Sequence, residues 1–166
     1  MSTVELTGAE HQHLERAVGL AAEALRAGDA PFGSVLVSAE GQILAEDRNR
    51  VNSLGDSTRH PEFELARWAA EHLTAPRRAG ATVFTSGEHC PMCSAAHGWV
   101  GLGRIVYAHS ATQLAQWLTE LGVLSSPVRS LAASDVVPGL VVQGPVPALA
   151  RRLREMHRTF HLMSLG

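Results

Sequence analysis

Apolar positions recur at helical spacing near the start of the chain. Between residues 11 and 27, Leu14, Val18, Ala21, Ala22 and Leu25 share one stripe, and Gly28 and Asp29 stop it. A shorter period follows. Residues 34–38 form a β-branched run that reads as a strand, Glu40-Gly41 as a turn, and residues 42–46 as the returning strand of a hairpin. Residues 48–59 are polar and read as a loop. A helix is predicted over 61–73, with Pro76 ending it. Strands are predicted at 81–85 and 104–108, with a helix between them from Pro91 to near Gly101. A short helix is expected at 112–121, a fifth strand at 141–143, and helix from Pro145 to near the end. Without internal repeat or linker, residues 1–166 read as a single domain. Strands alternating with helices predict an α/β fold: a three-layer α/β/α sandwich with a mixed five-stranded sheet, mostly parallel after an antiparallel first hairpin.

Composition narrows the class. Apolar residues make up 45% of the chain and charged ones 18%, an ordinary globular balance. The net charge of −2 argues against a large polynucleotide partner, because proteins that live on phosphates are usually basic. No apolar run approaches the roughly 20 residues that span a bilayer. Residues 1–10 have neither a basic start nor an apolar stretch, so no secretory signal is expected. The only cysteines, Cys90 and Cys93, are too close for a useful loop-closing disulfide and well spaced for a metal or redox pair. A reducing, cytoplasmic location is the expectation.

Two segments carry the candidate chemistry: Thr58-Arg59-His60-Pro61-Glu62 and His89-Cys90-Pro91-Met92-Cys93. Each sits where a loop or strand passes into a helix. Pro91 suits a first helical turn, which places Cys93 one turn beyond Cys90 so that both sulfurs can face one point. A helix N-terminus favours thiolates there. Two thiolates are half of a tetrahedral zinc site, and His60 at the start of its own helix is the natural third ligand. Three protein ligands leave a position for water, the mark of a catalytic zinc. Glu62, two residues on, can reach that water without binding the metal. One neutral imidazole and two thiolates nearly cancel the ion's charge, so the water is acidified less than at a three-histidine site, and a neighbouring carboxylate makes up the difference. On the cysteines alone, a thioredoxin-like redox site is the competing reading. A non-catalytic zinc-binding domain is another, although a purely structural zinc has no use for Glu62. H-x-E upstream with C-x-x-C downstream favours the zinc deaminase pattern.

At these residues the chain resembles the cytidine deaminase-like superfamily, in the branch that holds guanine deaminases, yeast-type cytosine deaminases and tRNA adenosine deaminases. The resemblance runs over about 17–108. It is carried by Ala30-Pro31-Phe32-Gly33-Ser34-Val35-Leu36-Val37, by Asn49 through Asp56 to His60-Pro61-Glu62, by Thr85-Ser86-Gly87-Glu88-His89-Cys90-Pro91-Met92-Cys93, and by Trp99 with residues 104–108. It implies a hydrolase that replaces an exocyclic ring amine with oxygen and releases ammonia. His60, Cys90 and Cys93 would hold Zn2+ and Glu62 would shuttle protons. Asn49 would contact substrate, and the Cys90 backbone N–H would meet the ring's polar edge. Phe32 and Trp99 are candidate pocket walls, or plain core. The substrate class implied is a free base or nucleoside, guanine- or cytosine-like, with a tRNA adenosine deaminase as the alternative. A homodimer is implied too.

Some positions depart from that pattern. His89 replaces the usual proline, from where it could reach the site and change what binds, and Pro61 replaces an alanine. Residues 109–116 hold no Asp or Glu, whereas the guanine-specific branch reads its base with an acidic residue there. The last helix groups Arg151, Arg152, Arg154 and Arg158. His157 and His161 lie four apart on it, read as a solvated or dimer-facing stripe rather than a second metal site. In related enzymes the C-terminal segment helps close a pocket, which puts Phe160 and His161 forward for specificity.

Overall fold

Thr7 decides where the first helix begins. Its side chain accepts the Glu10 amide while Glu10 returns a bond to the Thr7 amide, a reciprocal cap that starts α1 at Gly8–Arg26, three residues before the apolar stripe. The computed structural model describes residues 5–164. The part of the N-terminal signal reading that falls on residues 1–4 lies outside them. After α1 come β1 (Gly33–Val37), β2 (Ile43–Arg48) and α2 (Val51–Leu54). Then follow α3 (Pro61–His72), α4 (Ala75–Gly80), β3 (Thr82–Gly87) and α5 (Pro91–Val100). The chain continues through β4 (Ile105–His109), α6 (Ala111–Glu120), α7 (Ala133–Val136), β5 (Val142–Gln143) and α8 (Pro147–Met163).

The five strands lie in the order β2-β1-β3-β4-β5. β1 is antiparallel to both β2 and β3, while β3–β4 and β4–β5 are parallel. The expected hairpin and parallel half are therefore present, joined across one further antiparallel pair. β1 is buried at every position, which its unbroken Val35-Leu36-Val37 run permits. Val35 and Val37 face one layer, with Leu14, Val18 and Ala21 of α1 and Leu149 and Leu153 of α8. Leu36 faces the other, with Leu65, Ala66 and Ala69 of α3. Period 2 in the strand and period 3.6 in the helices thus place one layer of helices on each face.

Three short helices escape the sequence reading. α2 is a single turn inside the stretch 48–59 read as loop, and α7 is a single turn in a stretch given no element. Pro76, expected only as a stop after α3, lies in the first turn of α4, where its missing N–H costs nothing. Among the described residues no helix is long and apolar enough to cross a membrane.

Candidate active site

Both key segments use the same local device. His60 is the N-cap of α3 and Cys90 the N-cap of α5, each with extended backbone (ψ 136° and 168°) and each followed by proline. Proline fixes the first helical φ, so the cap residue and the residues one turn on are held rigidly at the helix mouth. The two mouths meet. His60 Nδ1 lies 3.5 Å from Cys90 Sγ and 3.6 Å from Cys93 Sγ. All three ligand atoms fall within 4.8 Å of one another, the one such group among the described residues.

The residues present fit zinc. Bonds of roughly 2.3 Å to sulfur and 2.0–2.1 Å to nitrogen at tetrahedral angles put S and N about 3.6 Å apart. The donor chemistry points the same way. The Cys90 thiol is pushed down to about 4 by its contacts with Cys93 and then His60. Cys93 is pushed up by the neighbouring Cys90 sulfur and by burial. A second buried thiolate is thus opposed by the first and by Glu62, and a divalent cation removes that opposition.

Glu62 is 5% exposed and lies beside the group, against Cys93. One carboxylate oxygen accepts the Thr85 hydroxyl at 3.2 Å and the other lies 3.7 Å from Cys93 Sγ. Burial pushes its carboxyl above the usual carboxylate range, toward what a proton carrier needs near neutral pH. Thr85 in turn accepts the Ser34 hydroxyl at 2.8 Å. Neither hydroxyl was singled out from the sequence for this role.

The remaining candidates divide. Asn49 is 3% exposed, and its Oδ1 accepts the Val51 amide at 3.0 Å. Its backbone N–H donates to the Phe32 carbonyl at 3.0 Å, so these two candidates are neighbours. Phe32 packs edge-on against His157, with ring centroids 4.9 Å apart. His157 also meets His109 at 5.3 Å, and His109 meets Trp117 at 5.0 Å. His157 is therefore 1% exposed, in a buried ring cluster rather than on the solvated stripe expected for it. His161 is half-buried against Phe160. Gly87 sits under the cluster: a Cβ there would lie 2.7 Å from the His109 ring and 3.1 Å from Phe32. His89 is buried with its ring edge-on to His97 at 5.2 Å, and neither ring nitrogen has a partner. It makes no hydrogen bond to the ligand group. Trp99 is 89% exposed, so it is neither core nor a wall of this chain's own pocket; it falls on the outer face of α5, opposite the buried Cys93 and His97.

Glu88 ties the cysteine turn to two further helices. Its two carboxylate oxygens accept the amides of Ala111 and Ala133, each at 2.9 Å, at the first residues of α6 and α7. The segment 109–116 lacks an acid of its own, yet one arrives at its N-terminal end from the cysteine turn.

A three-layer sandwich that joins one imidazole, two thiols and a buried carboxylate at two helix mouths defines a zinc-dependent deaminase, a hydrolase acting on C–N bonds. The family described as the cytidine and deoxycytidylate deaminase zinc-binding region matches residues 8–109, and the chain belongs to it. A guanine deaminase from Bacillus subtilis (strain 168) is 39% identical over 104 residues, 62% of this chain and 66% of its own length. An X-ray structure of guanine deaminase from Bacillus subtilis superposes with a TM-score of 0.58 at 31% identity, covering 76% of this chain and 83% of that one. A tRNA-specific adenosine deaminase from Agrobacterium fabrum (strain C58) is 36% identical over 154 residues, 89% of this chain and 96% of its own length. A probable cytosine deaminase from Schizosaccharomyces pombe is 33% identical over 116 residues, 69% and 68% of the two lengths.

Proposed function

We propose that the protein hydrolytically deaminates a free nucleobase or nucleoside, guanine- or cytosine-like, and releases ammonia. The convergence of His60, Cys90, Cys93 and Glu62 on one point carries this reading. His60, Cys90 and Cys93 would hold zinc, which would act as a Lewis acid toward the water that attacks the amine-bearing ring carbon. Glu62 carries one proton of the attacking water to the ring nitrogen, and then carries the second, from the hydroxyl now on the ring carbon, to the departing amine, so that ammonia leaves neutral and the ring keeps an N–H and a C=O. Its burial and its bond to Thr85 keep one carboxylate oxygen oriented for both transfers. Asn49, with Oδ1 committed to Val51, keeps its Nδ2 donors for the substrate's acceptors. The Cys90 backbone N–H meets the ring's polar edge, Phe32 walls one side, and His89 acts on the site from behind the cysteine turn.

The single domain acts in the cytoplasm as a homodimer on this reading, with Trp99 covered by the second copy. Free, unlinked Cys90 and Cys93 suit a reducing compartment. Similarity to the Agrobacterium protein over 89% of the chain keeps a tRNA adenosine deaminase as the second reading. Against it, Arg152 pairs with Glu15, Arg154 with Glu120 and Arg158 with Glu155. Three of the four arginines grouped on α8 thus stand next to a carboxylate, which weakens the positive field a phosphate backbone would meet there.

The test replaces Glu62→Gln. Zinc should remain stoichiometric by metal analysis, while kcat for ammonia release from the best base or nucleoside falls by about 10²–10⁴. Activity that survives the change would remove Glu62 from the mechanism. Salt-sensitive turnover of a tRNA anticodon stem, with none on any base or nucleoside, would replace the substrate reading by its alternative.

A further inference from the structure

A chamber of about 420 Å³ opens beside the cysteine turn, on the side of α6. Cys90 belongs to its wall, so one metal ligand is common to the chamber and to the reacting centre. The wall takes its aliphatic side from Leu114 and Leu118 of α6 and from Val123, Leu124 and Leu131 of the connection that leads to α7, while the same connection also contributes Arg129 and three serines. Glu88 also borders it, but both of its carboxylate oxygens are already taken by the Ala111 and Ala133 amides. None of Phe32, Asn49, His60 or Glu62 lines it. The chamber is therefore space beyond that needed to hold a reacting ring against Glu62.

Its outer wall can adjust. Among the described residues, 124–131 make one hydrogen bond, from the Val128 amide to Ser126 Oγ, within the segment itself. The segment is fastened only at its ends, where the Val123 amide donates to the Leu118 carbonyl and Ala133 is held by Glu88. Leu124, at 91% exposed, stands at the mouth as an apolar side chain with little to cover it. Exposed aliphatic surface lining a concavity next to a polar centre is the usual form of a site that holds the apolar part of a ligand while a few polar groups fix its orientation. A bare base would leave this space unfilled.

We propose that the chamber binds an apolar substituent of the substrate, so that the preferred amino-heterocycle carries an alkyl or aryl group on its ring. This rests on the base-deaminase reading above, and the experiment separates the two. With the zinc-loaded full chain, ammonia release would be compared for guanine, 9-butylguanine and 9-benzylguanine, and for cytosine, 1-butylcytosine and 1-benzylcytosine. In parallel, calorimetry would measure binding of the same compounds to E62Q. The expected result is a kcat/KM at least tenfold higher, and binding at least tenfold tighter, for the best substituted compound than for its bare base. Leu118→Trp, which fills the chamber, and Leu131→Asp, which makes its exposed wall polar, should each bring that ratio back toward one. Equal or weaker handling of every substituted compound overturns the proposal, as does a preference that survives both substitutions. If no compound releases ammonia, the base-deaminase reading fails; binding to E62Q then decides the chamber alone, by whether a substituent preference exists and is lost with Leu131→Asp.

Discussion

Ser34 on β1 and Thr85 on β3 are cross-strand partners, and this register alone brings their two hydroxyls together inside the sheet. The Thr85 hydroxyl, with one proton, faces both the Gly87 carbonyl at 2.9 Å and Glu62 at 3.2 Å, so the pair reaches the carboxylate through a shared contact. Thr85→Val keeps shape and removes both the donor to Glu62 and the acceptor for Ser34. Leaving a buried hydroxyl without a partner costs about 1–3 kcal/mol. A carboxylate free to rotate loses its alignment, so kcat should fall about 10–100-fold with KM and zinc content little changed. Steady-state kinetics alongside metal analysis would show it; an unchanged kcat would mean that burial alone orients Glu62. The hydroxyls were invisible in the sequence for a plain reason. A serine and a threonine within β-branched runs look like ordinary strand residues until strand order and register are known. His60, Glu62, Cys90 and Cys93 were legible because all of their geometry is local: a cap, a proline and a few residues of spacing.

Glu88 works on elements rather than on substrate. It ties the cysteine turn to the first residues of α6 and α7, where its charge also suits the exposed amides. Glu88→Ala should cost about 2 kcal/mol, or roughly 4–8 °C in Tm for a chain of this size, with Glu88→Gln intermediate because it keeps one acceptor. Thermal unfolding of the zinc-loaded proteins would measure it, and equal Tm values would show that solvent replaces the carboxylate. The longer elements were readable from periodicity, since each buries one face on the sheet. Single-turn α2 and α7 have no period to show, and Pro76 is ambiguous by nature because proline both ends one helix and opens another. The β1–β3 antiparallel pair was not explicit either, because strand order is set by how the layers close. His157 could have been read correctly. It continues the Leu149–Leu153 line at spacing four, but the surrounding arginines drew the reading toward solvent.

At the scale of the whole molecule, the buried histidines set how the fold meets acid. Burial holds His109 down at about 4, and holds His157 below its ordinary value with the nearby His109 and His161 adding to the effect. The unfolded chain takes up these protons below about pH 6.5, while the native state refuses them until much lower pH. Stability is therefore full above that range and is lost as pH falls from about 6.5 toward 4, by up to ~1.4 kcal/mol per pH unit for each such histidine. Asp29, bonded by Ser53, Asn52 and Arg48, and Glu10, bonded by Arg104, act in a lower window, since their depressed carboxyls lose their contribution only as they protonate. Denaturant midpoints measured across pH 4.5–7.5 should decline toward acid, and His157→Phe should flatten the decline between pH 6.5 and 4.5. A variant as acid-sensitive as the parent would place the titration elsewhere.

The absent methyl at position 87 has an evolutionary corollary. The space a side chain would occupy there is filled by the imidazole of residue 109, so the two sites cannot drift independently. A lineage that enlarges the first must shrink or turn the second, and a lineage with a small residue at the end of the fourth strand is released from glycine. In a set of related chains, these two columns should covary even though one lies just before the cysteine turn and the other a strand away.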